Sequence, residues 1–239
     1  MKSIVIRCGR NSVRLLIALA LLAFWLGGSL LSAATYYVRT DGNDSNSGTG
    51  STTSTAWATI QHAANQSLSP GDVVYVKAGT YTEQVTPNVD GTSGSPIRFI
   101  GDRDGTVSGW AGGEVVLQAP SGSRALYLHS EDYVEFTGFH FIGSTSQAVL
   151  IYPGTGILID SCEITSGSTG VYCYNTDATL VNLLIHDCAS IALYCYGSST
   201  VDIWNCTIAD NFNDGLRLAN TATVTLTNSI IGTHRLRGI

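Results

Sequence analysis

The chain has 239 residues, with 26 glycines, five prolines and a formal net charge of −6. Four basic residues lie before position 15, and the sequence after residue 34 carries eight basic residues against 18 acidic ones, a net charge of −10. Nucleic acids and anionic membrane surfaces bind clustered basic side chains, so this balance argues against both as partners. The composition, rich in Gly, Thr, Ser and Asn, favours strands and turns over helices.

Residues 1–34 have the pattern of a secretory signal peptide. A basic start precedes an almost wholly apolar run from Leu15 to Leu26, and Ser32-Ala33-Ala34 offers small residues for a cut after Ala34. The apolar run is short for a membrane span, which needs about 20 residues. We therefore predict an exported protein, periplasmic, secreted or at the cell surface, that keeps no membrane anchor after cleavage.

The next segment, residues 35–124, is predicted to hold an N-terminal cap and the first, irregular coils of a repeat. Ala58 to Leu68 is its one amphipathic stretch, with Ile60, Ala63, Ala64 and Leu68 on one face of a helix. Such a helix can cover the open end of a stack of coils. A turn at residues 70–72 then leads into a strand that begins at Val73.

A repeat of 22–23 residues occupies residues 125–239. Its first phrase, a small residue followed by alternating apolar positions, begins at Ala125, Ala148, Gly170, Ala192 and Gly215. A second phrase contains two short strands separated by a turn position, which is occupied by Gly138, Ser161, Asn182, Asn205 and Asn228. Three short strands in each period predict an all-β fold, a right-handed parallel β-helix. A leucine-rich repeat has a similar period but needs a helical segment in each repeat, which the second phrase does not provide.

The alternation of side chains within each strand predicts four inward columns. They are Leu126, Val149, Val171, Leu193 and Leu216; Leu128, Ile151, Cys173, Cys195 and Leu218; Phe141, Ile164, Ile185, Ile208 and Ile231; and Phe139, Cys162, Leu183, Cys206 and Ser229. Four of the five cysteines after residue 34 fall in these columns and are predicted to be small buried hydrophobes. A disulfide between Cys173 and Cys195, on adjacent coils, is the alternative for that pair.

The last residues repeat the start of a coil. Gly238 lies 23 residues after Gly215, and Arg237-Gly238-Ile239 resembles Asp214-Gly215-Leu216. We expect an incomplete gene product whose helix continues, with cover by another chain as the alternative.

Several N-terminal phrases resemble exported right-handed β-helix proteins of the pectate-lyase-like superfamily. They are Thr35-Tyr-Tyr-Val38, the loop 42–48, Trp57-Ala-Thr-Ile-Gln61, the segment 70–76 and Gly79-Thr-Tyr-Thr-Glu83. The resemblance implies a bacterial protein that acts on or binds polysaccharide. The superfamily includes lyases of pectate, alginate and chondroitin as well as glycosidases, epimerases and binding proteins, so the resemblance specifies the fold better than the activity.

In that superfamily the first strand of each coil faces the substrate groove, and here its outward positions are rich in tyrosine. The predicted substrate-binding residues are Tyr127, Tyr152, Tyr172, Tyr174, Tyr194, Tyr196 and Arg217. Their rings could stack on the C–H faces of sugars. The alternative is that β-prone aromatic residues simply cover one face of a sheet.

The catalytic residues stay unassigned. The resemblance implies an arginine or lysine base and a calcium ion held by carboxylates, and Arg217 is the one basic residue in the outward columns. Asp187, Asp210 and Asp214, in turns before first strands, are the possible calcium ligands, although Asp is also an ordinary turn residue. The five histidines show no ligand spacing.

Two functions therefore stand. One is the N-terminal part of a polysaccharide lyase acting on a uronate-containing polysaccharide. The other is a non-catalytic β-helix that binds glycans or serves as a structural or adhesive module.

Overall fold

The computed structural model of the chain describes residues 32–232 and 234–235. The predicted signal peptide lies outside these residues except for its last three positions, and the predicted coil start at Gly238 also lies outside them. Within the described part, no helix is both long enough and apolar enough to cross a lipid bilayer.

The described chain contains twenty short strands and one short helix, α1 (Ile60–Ala64). In chain order the strands are β1 (Thr35–Val38), β2 (Val73–Lys77), β3 (Gly79–Thr82), β4 (Ile97–Asp102), β5 (Val115–Gln118), β6 (Leu126–Leu128), β7 (Val134–Thr137), β8 (His140–Gly143), β9 (Gln147–Ile151), β10 (Gly154–Asp160), β11 (Glu163–Ser166), β12 (Thr169–Tyr174), β13 (Thr176–Val181), β14 (Leu184–His186), β15 (Ile191–Tyr196), β16 (Thr200–Trp204), β17 (Thr207–Ala209), β18 (Leu216–Leu218), β19 (Thr223–Thr227) and β20 (Ile230–Gly232).

These strands form three parallel sheets, and from β6 onward each coil adds one strand to each sheet. The order is β1-β2-β4-β7-β10-β13-β16-β19 in the eight-stranded sheet, β3-β5-β8-β11-β14-β17-β20 in the seven-stranded sheet and β6-β9-β12-β15-β18 in the five-stranded sheet. Parallel pairing between strands 22–23 residues apart is the arrangement of a β-helix. The predicted architecture, with three short strands per coil, is confirmed.

The predicted inward columns fill the core, with two differences at single positions. Leu218 is 46% exposed, because β18 is the last strand of its sheet in the described part of the chain. Leu150, which the alternation places outward, is only 6% exposed, because it lies in register between the bulkier Tyr127 and Tyr172. Burial at an outward position thus depends on the neighbouring coils and not on the strand's own alternation.

The turn between the second and third strands has a left-handed backbone in every regular coil. The φ values are 79° at Gly138, 53° at Ser161, 53° at Asn182, 55° at Asn205 and 49° at Asn228. Glycine and asparagine adopt this conformation most readily. The asparagine amides also form the predicted ladder: Asn228 Nδ2 donates to Asn205 Oδ1 (2.6 Å), and Asn205 Nδ2 donates to Asn182 Oδ1 (3.4 Å).

All five cysteines of the described chain are buried free thiols. Cys173 and Cys195 face each other in register but form no disulfide, so that alternative is not realised. Cys162 and Cys206 have a role that the sequence did not reveal. Their Sγ atoms accept hydrogen bonds from backbone N–H groups next to the left-handed turn of the preceding coil, Phe139 N and Leu183 N, each at 3.4 Å.

Helix α1 is shorter than the predicted segment 58–68. The side chain of Thr59 caps its first turn by accepting from His62 N, and Glu83 accepts from Ile60 N (2.9 Å) and Gln61 N (3.0 Å). The helix ends at Ala64, six residues before Pro70, and Leu68 still packs against the core from the following segment. The buried face of α1, with Ile60 among its residues, joins the core of the β-helix.

Candidate functional site

The outward side of the five-stranded sheet carries all seven residues predicted to bind substrate. One column contains Tyr127, Leu150, Tyr172, Tyr194 and Arg217, and the next contains His129, Tyr152, Tyr174, Tyr196 and Ala219. We call the six tyrosines and Arg217 the tyrosine face. The strands are in register, so equivalent side chains from successive coils lie about 4.8 Å apart.

The tyrosine rings of neighbouring coils stack on one another. The ring centroids are 4.6 Å apart for Tyr152 and Tyr174, 5.3 Å for Tyr174 and Tyr196, and 5.1 Å for Tyr172 and Tyr194. The interplanar angles of these three pairs are 34°, 14° and 31°. Ring faces that the sequence interpretation assigned to sugars are therefore largely used within the protein. The face offers solvent mainly ring edges and phenol hydroxyls.

Two arginines lie against this face, one toward each end. The guanidinium of Arg217 lies 5.8 Å from the Tyr194 ring centroid and forms an ion pair with the buried Asp214, at 2.5 Å. The guanidinium of Arg124 lies 5.0 Å from the Tyr127 ring centroid, and its Nε donates to Gln147 Oε1 at 2.9 Å. Within the described ranges no carboxylate lies within 4 Å of Arg124, so its charge is available to a ligand.

Sequence reasoning missed Arg124 and the column to which it belongs. This third outward column contains the residues immediately before each first phrase, namely Arg124, Gln147, Thr169, Ile191 and Asp214. The available signal was the shared position one residue before each repeat start. A shallow depression of about 300 Å³ lies between this column and the tyrosines, lined by Gln147, Thr169, Tyr172, Ile191 and Tyr194.

The tyrosine hydroxyls are hydrogen-bond donors at neutral pH. Burial and the neighbouring tyrosines raise the pKa of Tyr172 above its ordinary value of 10. A hydroxyl with a raised pKa keeps its proton and is a poor general base. Binding through neutral hydroxyls suits this surface better than proton abstraction by a tyrosinate.

A buried carboxyl group lies at the edge of the same face. Glu131 is 5% exposed, and its carboxylate accepts a hydrogen bond from the backbone N–H of His129. Burial raises the pKa of Glu131 to about 7, and the nearby Asp90 and Asp132 act in the same direction. Sequence reasoning gave no signal for this group, because its burial depends on the packing of turns from different coils.

The predicted calcium ligands do not come together. Asp214 pairs with Arg217, and Asp187 Oδ2 lies 2.8 Å from His186 Nδ1. Among the residues that the structure describes, the one group of three His, Cys or acidic side chains with ligand atoms within 4.8 Å of one another is Glu114, His140 and Glu163, on the seven-stranded sheet. The interpretation that no histidine has ligand spacing was therefore wrong for His140, which lies one coil before Glu163.

Comparison with known proteins agrees with this architecture. A family model described as a right-handed β-helix region matches residues 124–239. The structure is similar to that of pectate lyase Pel9A, with a TM-score of 0.72, 19% identity and coverage of 87% of this chain and 56% of that one. It is also similar to an alginate lyase from Paenibacillus sp. str. FPU-7, with a TM-score of 0.54, 19% identity and coverage of 71% of this chain and 62% of that one. No curated protein matches the chain.

The chain thus spans only a little over half the length of either lyase, and at 19% identity these likenesses concern the fold. The parallel sheets, the family match and the similarity to Pel9A agree with the resemblance noted in the N-terminal phrases. The protein is a right-handed parallel β-helix with the pectate-lyase-like fold.

Proposed function

We propose that the protein is an exported carbohydrate-active β-helix whose tyrosine face binds a uronate-containing polysaccharide. The observation that carries this proposal is the row of neutral phenol hydroxyls beside Arg124, whose guanidinium has no carboxylate partner in the described part of the chain. Phenol and amide groups suit sugar hydroxyls, and a guanidinium binds a carboxylate through two parallel hydrogen bonds.

The polymer would run along the helix axis. Successive coils repeat the same side-chain pattern about every 4.8 Å, a step comparable with the length of one sugar unit. The chain after residue 34 is strongly acidic, so an acidic polymer is attracted only where a local cation offsets the overall charge. Arg124 provides that cation, whereas Arg217 is neutralised by Asp214.

The comparisons support the same substrate class. The two solved structures with the closest fold agreement given above are a pectate lyase and an alginate lyase, and both polymers are built from uronic acids. Their names motivate the choice of ligand.

The decisive experiment measures binding to polygalacturonate and alginate beside a neutral glucan, using calorimetry or affinity electrophoresis. Arg124→Ala should weaken binding to the uronates at least tenfold, since a hydrogen bond to a charged group contributes about 1.5–3 kcal/mol. Arg98→Ala is the matched control, because Arg98 is an exposed arginine on the eight-stranded sheet. Equal affinity for the neutral glucan, or an unchanged affinity in Arg124→Ala, would refute the proposal.

A second pair of variants separates hydroxyl binding from stacking on ring faces. Tyr172→Phe combined with Tyr194→Phe keeps the rings and removes two hydroxyls, and we expect binding to weaken about tenfold. Tyr75→Phe, on the eight-stranded sheet, is the control for loss of a hydroxyl elsewhere. If the double variant binds as tightly as the parent chain, the hydroxyls are not the contact and the original stacking interpretation is restored.

Lyase activity is the second candidate, favoured by the similarity to two lyases. In β-elimination a base removes the proton from C5 of the uronate, the C4–O bond breaks, and the new double bond conjugates with the carboxylate and absorbs ultraviolet light. An increase in absorbance during incubation with polygalacturonate or alginate would establish this activity. Binding without absorbance supports a non-catalytic binder, and absence of binding to any polymer supports the structural or adhesive module.

A further inference from the structure

A separate cluster of ionisable side chains lies on the outward side of the seven-stranded sheet. Glu114 directly precedes β5, His140 begins β8 and Glu163 begins β11, so three successive coils contribute one residue each. His140 and Glu163 are partners in the parallel register. One ligand atom from each of the three side chains lies within 4.8 Å of the other two.

The ring of His140 is held in place but only half satisfied. Its Nε2 lies 3.0 Å from Thr165 Oγ1, whereas its Nδ1 is buried and has no hydrogen-bond partner. The nearest carboxylate oxygen recorded for Nδ1 is Glu114 Oε2, at 3.8 Å, which is beyond hydrogen-bond distance. When Nε2–H donates to Thr165, the lone pair of Nδ1 faces two carboxylates. That arrangement is repulsive unless a cation lies between them.

Glu163 is oriented by groups outside the cluster. Its Oε1 lies 3.0 Å from His186 Nε2, and His186 Nδ1 lies 2.8 Å from Asp187 Oδ2. Metal ligands in proteins are held by outer hydrogen bonds of this kind. Thr165 holds His140 in the same way, so two of the three candidate ligands have fixed orientations.

We propose that Glu114, His140 and Glu163 bind one divalent transition-metal ion of the zinc type. One imidazole nitrogen and two carboxylate oxygens suit zinc, nickel or copper, whereas calcium takes oxygen ligands only. Metal–ligand bonds of about 2.1 Å place ligand atoms about 3.4 Å apart. Glu114 therefore moves inward by about 1 Å when the ion binds, which its 59% exposed side chain permits.

The remaining coordination positions face solvent. Glu163 also lines a depression of about 330 Å³ together with Arg103, Asn182 and Leu184, which leaves room for water or a small anion on the metal. Arg103 is a positive charge beside the site, so it lowers the affinity for a cation. The proposal is independent of polysaccharide binding, which involves a different sheet.

The test is calorimetric titration of the full chain with Zn²⁺ after treatment with a chelator, supported by the visible absorption of bound Co²⁺. We expect one ion per chain, and at least tenfold weaker binding in Glu114→Gln and in His140→Gln. Two controls should bind as the parent chain does: His129→Ala removes an exposed histidine from the five-stranded sheet, and Glu135→Gln removes a half-buried glutamate from the eight-stranded sheet.

Two outcomes would overturn the assignment. The first is no stoichiometric binding, and the second is binding that Glu114→Gln leaves intact or that His129→Ala abolishes. Glu114 is exposed, so its substitution keeps the fold and decides the question even if His140→Gln fails to fold. Loss of zinc binding in Glu114→Gln with unchanged binding of polygalacturonate would separate this site from the tyrosine face.

Discussion

The stack of tyrosine rings on the five-stranded sheet predicts a measurable coupling between neighbouring coils. Tyr174 lies in the middle of its column, with ring centroids at 4.6 Å from Tyr152 and 5.3 Å from Tyr196. An aromatic pair contributes about 0.5–1.5 kcal/mol beyond the area that it buries. Tyr174→Ala removes two such pairs, so we expect it to lower the free energy of unfolding by about 1–3 kcal/mol.

A double-mutant cycle isolates the ring contact from other effects of each substitution. For Tyr152→Ala and Tyr174→Ala we expect a coupling energy of about 1 kcal/mol. Tyr152 and Tyr196 lie two coils apart, about 9.6 Å, and serve as the matched pair with an expected coupling below about 0.5 kcal/mol. Urea unfolding followed by far-ultraviolet circular dichroism gives the four free energies of each cycle. Equal coupling in both cycles would show that the rings do not stabilise one another, and the exposed ring faces would again be candidates for sugar stacking.

Three further predictions concern stability and thiol chemistry. Because burial raises the pKa of Glu131 to about 7 from an ordinary value of 4.5, its contribution favours folding below pH 4.5 and is lost as the pH rises through 7. Between pH 5 and pH 8 the parent chain should lose about 2–3 kcal/mol more stability than Glu131→Gln, and identical losses in urea unfolding would contradict the assignment. Asn205→Ala should be less stable than Asn205→Gly by about 1 kcal/mol, because both lose the amide ladder but only alanine is strained at a φ of 55°; equal midpoints in denaturant would count against that reasoning. Burial raises the pKa of Cys162 to about 12, so a thiol reagent at pH 8 should leave it unlabelled in the folded chain and label it after unfolding without reductant.

The repeat could be predicted from sequence because each coil repeats the same physical requirement. Inward positions such as Val171 and Leu193 alternate with polar or aromatic ones, and a glycine or asparagine occurs wherever the backbone becomes left-handed. These signals are local to one coil and are repeated five times. The strand columns, the turn positions and the membership of the tyrosine face followed from them.

The chemistry between coils could not be predicted in the same way. Alternation places Tyr174 outward but does not reveal that its ring faces are turned toward Tyr152 and Tyr196. Turn aspartates looked available for calcium, yet Asp214 finds a partner three residues away in Arg217. Glu114 comes from an irregular coil, 26 residues before His140, so no constant spacing connects it to its cluster.

The in-register parallel pairing also bears on how such a chain can change during evolution. Inserting one residue within a strand would exchange its inward and outward side chains and expose a whole segment of core, whereas duplicating a complete coil of 22–23 residues leaves every neighbouring pair unchanged. A duplicated coil would extend the tyrosine columns by one step of about 4.8 Å. The length of polymer that this surface spans can therefore grow by whole coils, without redesign of the residues already in place.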